Sequence, residues 1–415
     1  MATQILVVKF GGKSLATPDR IKLAVSKVVE AVRKGYKIVV VVSAIGDTTD
    51  RLIELLESVC EGRGDPRFRD EVLSMGERLS ARLFAASLKS TGLEARFLDP
   101  RDDDWPIITD EAFGDASPLD ESIERINMYV KPLIDSGIIP VIPGFIGRSR
   151  NGCITTLGRG GSDTTAFLVA KGLSADQVIL VTDVDGIMTA DPKIVSNPKR
   201  IDAICVHDLS ILADVGAKFI HKKALAYKDP SIDVKVLSFK SASLEDQGTI
   251  IKGGFERRMD VTQVYDKPIG YITILGEDVA SHTEILCETL SIIGSTGSML
   301  GLSCDNRSII VYMPEDLCID IADRVHRLVE KYSGKVKAIA VRRGLCMLAV
   351  RGFGLEESPG IIASVSKPLS EKNINIHGVY TVSSTVFILV DWSVKDVVFS
   401  ILKSVFDERW NPCTV

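Results

Sequence analysis

The chain has 415 residues, 45% of them hydrophobic and 25% charged, with a formal net charge of −5. This composition is that of a globular protein with room for two or three domains, and it excludes the disordered and fibrous classes. Lys and Arg form no basic stripe, so a nucleic-acid partner is not expected. The longest apolar runs are strand-sized and no secretory leader opens the chain, so no membrane association is expected either.

The first apolar run, "QILVVKF" (residues 4–10), predicts a strand. Gly11-Gly12-Lys13-Ser14 follows and looks like the tail of a P-loop, but the obligatory first glycine falls on Val7. Thr17-Pro18-Asp19 then supplies an N-cap, a proline at the first helical position and a first-turn acid. Ile21, Ala24, Val25, Val28, Val29 and Val32 recur at helical steps, and Gly35 closes the helix. "KIVVVVSA" (37–44) has the continuous β-branched character of a parallel strand buried on both faces.

The same grammar continues with helices around Val72–Leu88 and Ile123–Ile134, a strand "IIPVIPGFIG" (138–147), a helix from Asp163 to Lys171 and a strand "QVILVTDVDG" (177–186). Strands separated by helices predict a three-layer α/β domain with a mainly parallel sheet. In such sheets ligands bind beyond the carboxyl ends of the strands, where Gly11-Gly12, Ser43-Ala44, Gly144 and Thr182-Asp183 fall.

The pattern changes around Lys252–Asp266. From there strand-helix-strand-strand-helix is read twice: "GYITILG", "HTEILCETLSIIG", "MLGLSC", "RSIIVYM" and "CIDIADRVHRLVEKY", then "LCMLAVRG", a helix from Pro359-Gly360 to Leu369, "INIHGVY", "TVFILVD" and a helix from Val394 to Phe406. This is a tandem of small α+β modules.

Lys9 is open to two readings, a strand-ending lysine in solvent or a phosphate-binding cation beside Gly11 and Gly12, where bare backbone can approach a ligand. "GRGGSD" (158–163) packs flexible backbone, a fork donor, a hydroxyl and a carboxylate into six residues. Arg159 could hold a carboxylate through paired hydrogen bonds and Asp163 an ammonium, which suits an amino acid. Equally, the segment could be a polar loop capping a helix through Ser162 or Asp163. Asp183, Asp185 and Asp191 lack the spacing and closing Glu of a calcium loop, and a nucleotide-binding turn fits better. Glu77 is either buried with a partner or exposed and paired with Arg78 or Arg82. Eight cysteines with no Cys-x-x-Cys pair and no His at ligand spacing indicate neither a zinc site nor a disulfide framework, and free thiols in a reducing cytosol fit.

Taken in order, "KFGGKS", "VSAIGDTTD", "SMGERLS", "IITDEAFGDA", "PGFIG", "TLGRGGSDTTA", "TDVDGIMTADPK" and "GAKFIH" resemble the aspartate kinase family of the amino-acid kinase fold. The resemblance covers residues 1–255, and the remainder resembles paired ACT regulatory modules over 265–335 and 336–415, between which strands could be exchanged. It implies transfer of phosphate from ATP, carried with Mg2+, to the side-chain carboxylate of L-aspartate, with no metal site of the protein's own. By motif, Lys9 resembles the cation at the transferring phosphoryl group, with Gly11 and Gly12 as its cradle and Asp183 as a further catalytic position. Ser43, Thr49, Glu77, Arg159, Gly160, Gly161, Ser162 and Asp163 resemble the aspartate pocket, and Thr182, Asp183, Met188, Lys193 and Lys218 the nucleotide side, shared with Lys9 and Gly12.

The resemblance also implies a cytoplasmic homodimer or higher oligomer, regulated at its ACT modules by lysine, threonine or both. Three positions depart from the family pattern. Lys13 stands where the family has Thr, Lys222-Lys223 follows His221 where Pro is usual, and "GEDVASHTE" lacks the Pro-Gly that opens the first ACT helix. The alternatives are a catalytically silent amino-acid sensor and a kinase acting on glutamate, acetylglutamate or UMP. Lys9, Arg159 and Asp183, all present, speak against the first, and the second shares the strand-Gly-Gly start but does not explain Glu77, "GRGGSD" and paired ACT modules together.

Overall fold

The structure is a computed structural model and describes residues 4–61, 64–191, 194–214, 220–254, 259–295, 297–352, 355, 359–382 and 384–410. The chain divides into two compact units, residues 1–255 and 256–415.

In the first unit the strands are β1 (Ile5–Phe10), β2 (Lys37–Val42), β3 (Ala95–Phe97), β4 (Ile108–Thr109), β5 (Ile139–Pro143), β6 (Ile146–Ser149), β7 (Ile154–Thr156), β8 (Gln177–Thr182), β9 (Ala203–Cys205), β10 (Asp233–Ser238) and β11 (Thr249–Lys252). The helices are α1 (Pro18–Arg33), α2 (Thr48–Cys60), α3 (Pro66–Ser90), α4 (Glu121–Arg125), α5 (Lys131–Asp135), α6 (Gly161–Leu173), α7 (Val206–Asp214) and α8 (Lys222–Leu225). An eight-stranded sheet runs β3-β5-β2-β1-β8-β10-β11-β9, and its pairings are parallel except β10 with β11.

Side-chain parity divides the core. Leu6, Val8 and Phe10 of β1 pack with Val25, Val28, Phe84 and Leu88 of α1 and α3. Val7 joins Val39, Leu180 and Val234 against Phe167 and Val169 of α6 on the other face. This is the three-layer α/β sandwich, and it follows from strands that are apolar at every position.

Local differences from the expected elements have local causes. The run 138–147 breaks at Phe145, whose φ is 69°, and β6 leaves for a small sheet ordered β4-β6-β7. The helix expected over 123–134 contains a π-helical turn at Ile126–Val130, in which Lys131 N–H donates to Ile126 O, immediately before Pro132, which has no N–H to give. Helix α6 begins at Gly161, with Gly160 (φ 74°) as the cap, so Ser162 and Asp163 occupy its first turn.

The second unit has β12 (Asp260–Gln263), β13 (Ile269–Gly276), β14 (Gly301–Cys304), β15 (Ser308–Pro314), β16 (Val336–Arg351), β17 (Gly378–Val382) and β18 (Thr385–Asp391), with helices α9 (Thr283–Gly294), α10 (Glu315–Asp320), α11 (Ala322–Lys331), α12 (Ile361–Glu371) and α13 (Lys395–Trp410). Its sheet runs β14-β15-β13-β16-β18-β17, with β12 also on β16. Strand β16 is far longer than the run 345–352 read from the sequence. Its first half pairs with β13, and its second half pairs with β18 and β12 across a register shift near Gly344. One strand thus serves two hydrophobic clusters, one under α9–α11 and one under α12–α13.

Asp70 ties α3, β7 and the 110–116 loop together. It is fully buried in α3, and its carboxylate accepts hydrogen bonds from Gly114 N–H (2.9 Å), Thr156 N–H (2.7 Å) and Thr156 Oγ1 (2.9 Å). Burial raises its pKa, and these donors oppose the rise. Asp70→Ala strands three donors at about 1–3 kcal/mol each before relaxation. Urea unfolding is expected to show a loss of at least about 3 kcal/mol, and a loss under about 1 kcal/mol would show that β7 and the 110–116 loop are held without it.

Candidate active site

Parity places Lys9 on the α6 face of β1, one residue before the strand ends. Its Nζ stands 2.6 Å from Asp163 Oδ1, and both side chains are largely buried. The reading of Lys9 as a solvent lysine is therefore excluded. The pair sits beside a cavity of about 360 Å³ at the carboxyl ends of β1 and β2, lined by Lys9, Gly12, Ser43, Thr49, Glu77, Gly160, Gly161, Ser162 and Asp163, and also by Ala44, Gly46, Phe145 and Gly158.

In the sheet β1 is flanked by β2 and β8, and the cavity opens beyond the carboxyl ends of β1 and β2, the edge at which open α/β sheets bind ligands. Gly12 belongs to the lining because its backbone is pressed on the β2–α2 connection. A Cβ there would lie 2.7 Å from Ala44 O. Gly11 is not in the lining; its N–H donates to Val181 O (3.0 Å) and locks the turn to β8.

Glu77 is 4% exposed. Arg78 and Arg82 do not reach it; both bind Asp99, Arg78 at 3.1 Å. Glu77 Oε1 accepts from Ala44 N–H (3.1 Å), whereas Oε2 is buried with no hydrogen-bond partner. Burial pushes its pKa up to about 8, against the pull of the Ala44 N–H. A buried carboxylate with a bare oxygen on a cavity wall is a socket for a cationic group. In the same lining, the first turn of α6 contributes backbone N–H groups without helical acceptors and the positive end of the helix dipole. The walls therefore offer one ammonium, two carboxylates, three hydroxyls and a helix N-terminus, a set suited to a small zwitterion carrying further negative charge.

Other sequence-read positions lie outside the lining. Arg159 is exposed, between two lining glycines, and has no ion-pair partner among the described residues. Thr182 ends β8, Asp183 follows it, and Met188 forms an isolated antiparallel bridge with Arg200. Lys193 and Lys218 lie outside the described residues. Lys13 Nζ binds Asp183 Oδ2 (2.8 Å). Partial burial would raise the Asp183 carboxyl, but Lys13 and the Thr182 hydroxyl hold it below the usual range. Of the lining residues not read as site residues, Ala44 and Phe145 sit inside the motifs "VSAIGDTTD" and "PGFIG"; their contribution is backbone position, which residue chemistry does not advertise.

A profile described as the amino acid kinase family matches residues 4–238, and one described as an ACT domain matches residues 340–404. The chain is 32% identical to the aspartokinase of Mycolicibacterium smegmatis over 97% of its own length and 96% of the relative's. Among solved structures it resembles aspartate kinase from Synechocystis, with TM-score 0.75 and 26% identity over 97% of this chain and 69% of that one. It also resembles E. coli aspartokinase III. The complex of that enzyme with aspartate and ADP, in its R-state, gives TM-score 0.54 and 26% identity over 97% and 99% of the two chains. Its T-state complex with lysine and aspartate gives TM-score 0.53 and 25% identity over the same shares. Fold and site together define a kinase of the amino-acid kinase class with a C-terminal ACT domain. Within that class, the chain belongs to the aspartokinase family.

The unfolded chain loses the Glu77 proton near its ordinary pKa of 4.5 and the folded chain near 8. Between these values the folded state keeps a proton that the unfolded state has lost, so stability falls as pH rises through that window and levels off above it. Glu77→Gln is expected to gain on the wild type by a few kcal/mol, on the order of the pKa difference, between pH 5 and pH 8.5 in urea unfolding. A pH-independent difference would show that Glu77 ionises normally. The Lys13–Asp183 pair is exposed on the lysine side (74%). Lys13→Thr is thus expected to change stability by less than about 1 kcal/mol in the same assay, and a larger loss would show that the pair holds the turn in place.

Proposed function

We propose that this enzyme phosphorylates the side-chain carboxylate of L-aspartate with Mg-ATP, giving 4-phospho-L-aspartate. The observation that carries the reading is the bare, buried Oε2 of Glu77 on the wall of a cavity that also holds Lys9. An α-ammonium group completes Glu77, and the side-chain carboxylate is then left to meet the phosphoryl group.

In this assignment Glu77 takes the α-ammonium, Arg159 the α-carboxylate, and Ser43, Thr49, Gly160, Gly161, Ser162 and Asp163 form the rest of the pocket. Lys9, with the Gly11-Gly12 backbone beside it, neutralises charge on the transferring group. Thr182, Asp183, Met188, Lys193 and Lys218 serve the nucleotide. The nucleophile is already ionised at neutral pH. Its oxygen bonds to the γ-phosphorus as the bond to ADP breaks, and no proton moves, which agrees with a cavity lining that holds no His among the described residues. Catalysis then consists of positioning and charge stabilisation. Mg2+ bound with ATP supplies further neutralisation of phosphate charge, and Asp183, kept ionised by Lys13, is the carboxylate that would face it. Because the product is an acyl phosphate, Phe145 on the cavity wall has the added role of limiting water.

In the second unit we assign two ACT modules, over 265–335 and 336–415, joined through β16. Lysine or threonine, end products of the pathway that aspartyl phosphate enters together with methionine, would bind there and shift the active-to-inactive equilibrium. E. coli aspartokinase III in its lysine-bound T-state is the precedent. A homodimer or higher oligomer in the cytoplasm completes the proposal. Among the described residues no helix is long and apolar enough to cross a membrane.

Purified protein given Mg-ATP, L-aspartate and hydroxylamine is expected to yield aspartyl hydroxamate, and no hydroxamate at saturating substrates overturns the reading. Lys9→Ala and Asp183→Ala are each expected to lower turnover by about 100- to 1000-fold. Near-normal turnover in both removes their assigned roles.

A further inference from the structure

Lys223 lies in α8, where its side chain is 22% exposed. Its Nζ is within reach of four oxygens: Asp115 Oδ1 (2.5 Å), Asp115 O (3.3 Å), Ala116 O (3.3 Å) and Leu157 O (3.1 Å). An ammonium has three protons, so this cage uses its whole donor capacity. Neither Lys223 nor Asp115 lines the cavity.

What the cage holds is the turn that does line it. Leu157 is the last residue before Gly158, whose φ is 69°, and Asp115 Oδ1 lies 2.0 Å from where a Cβ of Gly158 would be. On the other side, His221 Cβ lies 2.6 Å from where a Cβ of Gly160 would be. The turn is therefore gripped from both flanks by Asp115 and the 221–223 segment. The 110–116 loop is itself fixed at its far side, because Ala116 N–H donates to Thr156 O (2.8 Å) and Asp70 binds both Gly114 and Thr156. Lys223 is the charged link that joins this loop to the turn.

We propose that Lys223 is a positioning residue for the amino-acid side of the cavity, fixing the 158–161 turn and through it Ser162 and Asp163 in the first turn of α6. The inference rests on the assignment of that cavity to L-aspartate. Without the ammonium, Leu157 O and Ala116 O lose their donor, and Asp115, 73% exposed on its side chain, is released from Gly158. Because Asp115 returns to water at little cost, the effect concentrates on substrate binding rather than on folding.

The test is steady-state kinetics of the full chain in the hydroxamate assay. Lys223→Met is expected to raise the L-aspartate KM about 10-fold, equivalent to about 1.4 kcal/mol, with the Mg-ATP KM within about twofold. Lys223→Arg, which keeps the charge and donors, is expected to recover part of the loss. Asp115→Asn is expected to give a smaller shift in the same direction, and the double variant to be non-additive. A lowered unfolding temperature with unchanged L-aspartate KM in Lys223→Met would mark a merely structural brace and overturn the proposal. Should Lys223→Met fail to fold, an unchanged L-aspartate KM in Asp115→Asn overturns it instead. A wild type that forms no hydroxamate removes the aspartate assignment and this inference together, whereas an active wild type with unaltered variants removes only this inference.

Discussion

A parallel sheet covered on both faces has nowhere to present polar chemistry except at its strand ends, and the catalytic unit is arranged around that constraint. Strands β1, β2 and β8 are apolar almost throughout because helices cover them on both sides. Lys9 is the one charged residue of β1, and it sits where the strand leaves the core. Its parity turns it toward α6 and onto Asp163. Cavity, helix N-terminus and glycine turn all take their places from this edge.

Among the described residues that line the cavity, Glu77 is the one charged side chain without an ionic partner. Lys9 is matched by Asp163 and Lys13 by Asp183, while Glu77 has a backbone N–H on one oxygen and nothing on the other. A buried carboxylate in that condition is costly unless it is protonated or meets a cation, and its pKa near 8 is the signature of that cost. In the proposed assignment the ligand brings positive charge to Glu77 and negative charge toward Lys9 and α6. A free amino acid with an acidic side chain satisfies both demands.

The second unit makes a different use of strand continuity. Strand β16 runs from the cluster under α9–α11 to the cluster under α12–α13, so one backbone ladder is shared by both halves. Its second sheet face carries Tyr271, Tyr312, Tyr380 and Phe387 in contact, with successive centroids 5.7, 5.9 and 4.8 Å apart. Such a half-buried aromatic row is stiff in itself, since each ring is held by the next.

The sequence by itself determined the alternation of strands and helices, the cap and stop of α1, the placement of glycine turns at strand ends and the family, because these depend on local periodicity, backbone permissiveness and ordered motifs. It left Lys9 and Glu77 each with two readings. Only the tertiary structure chose between them, since burial depends on what packs above a residue, and Arg78 and Arg82 turn to Asp99, which lies in the loop after β3. The break at Phe145 and the full length of β16 were hidden for the same reason: one continuous apolar pattern can serve two sheets or two cores. The grip of Lys223 and Asp115 on the glycine turn was hidden as well. It joins residues far apart in the chain, and an ammonium with its carbonyl acceptors leaves no periodic trace in a sequence.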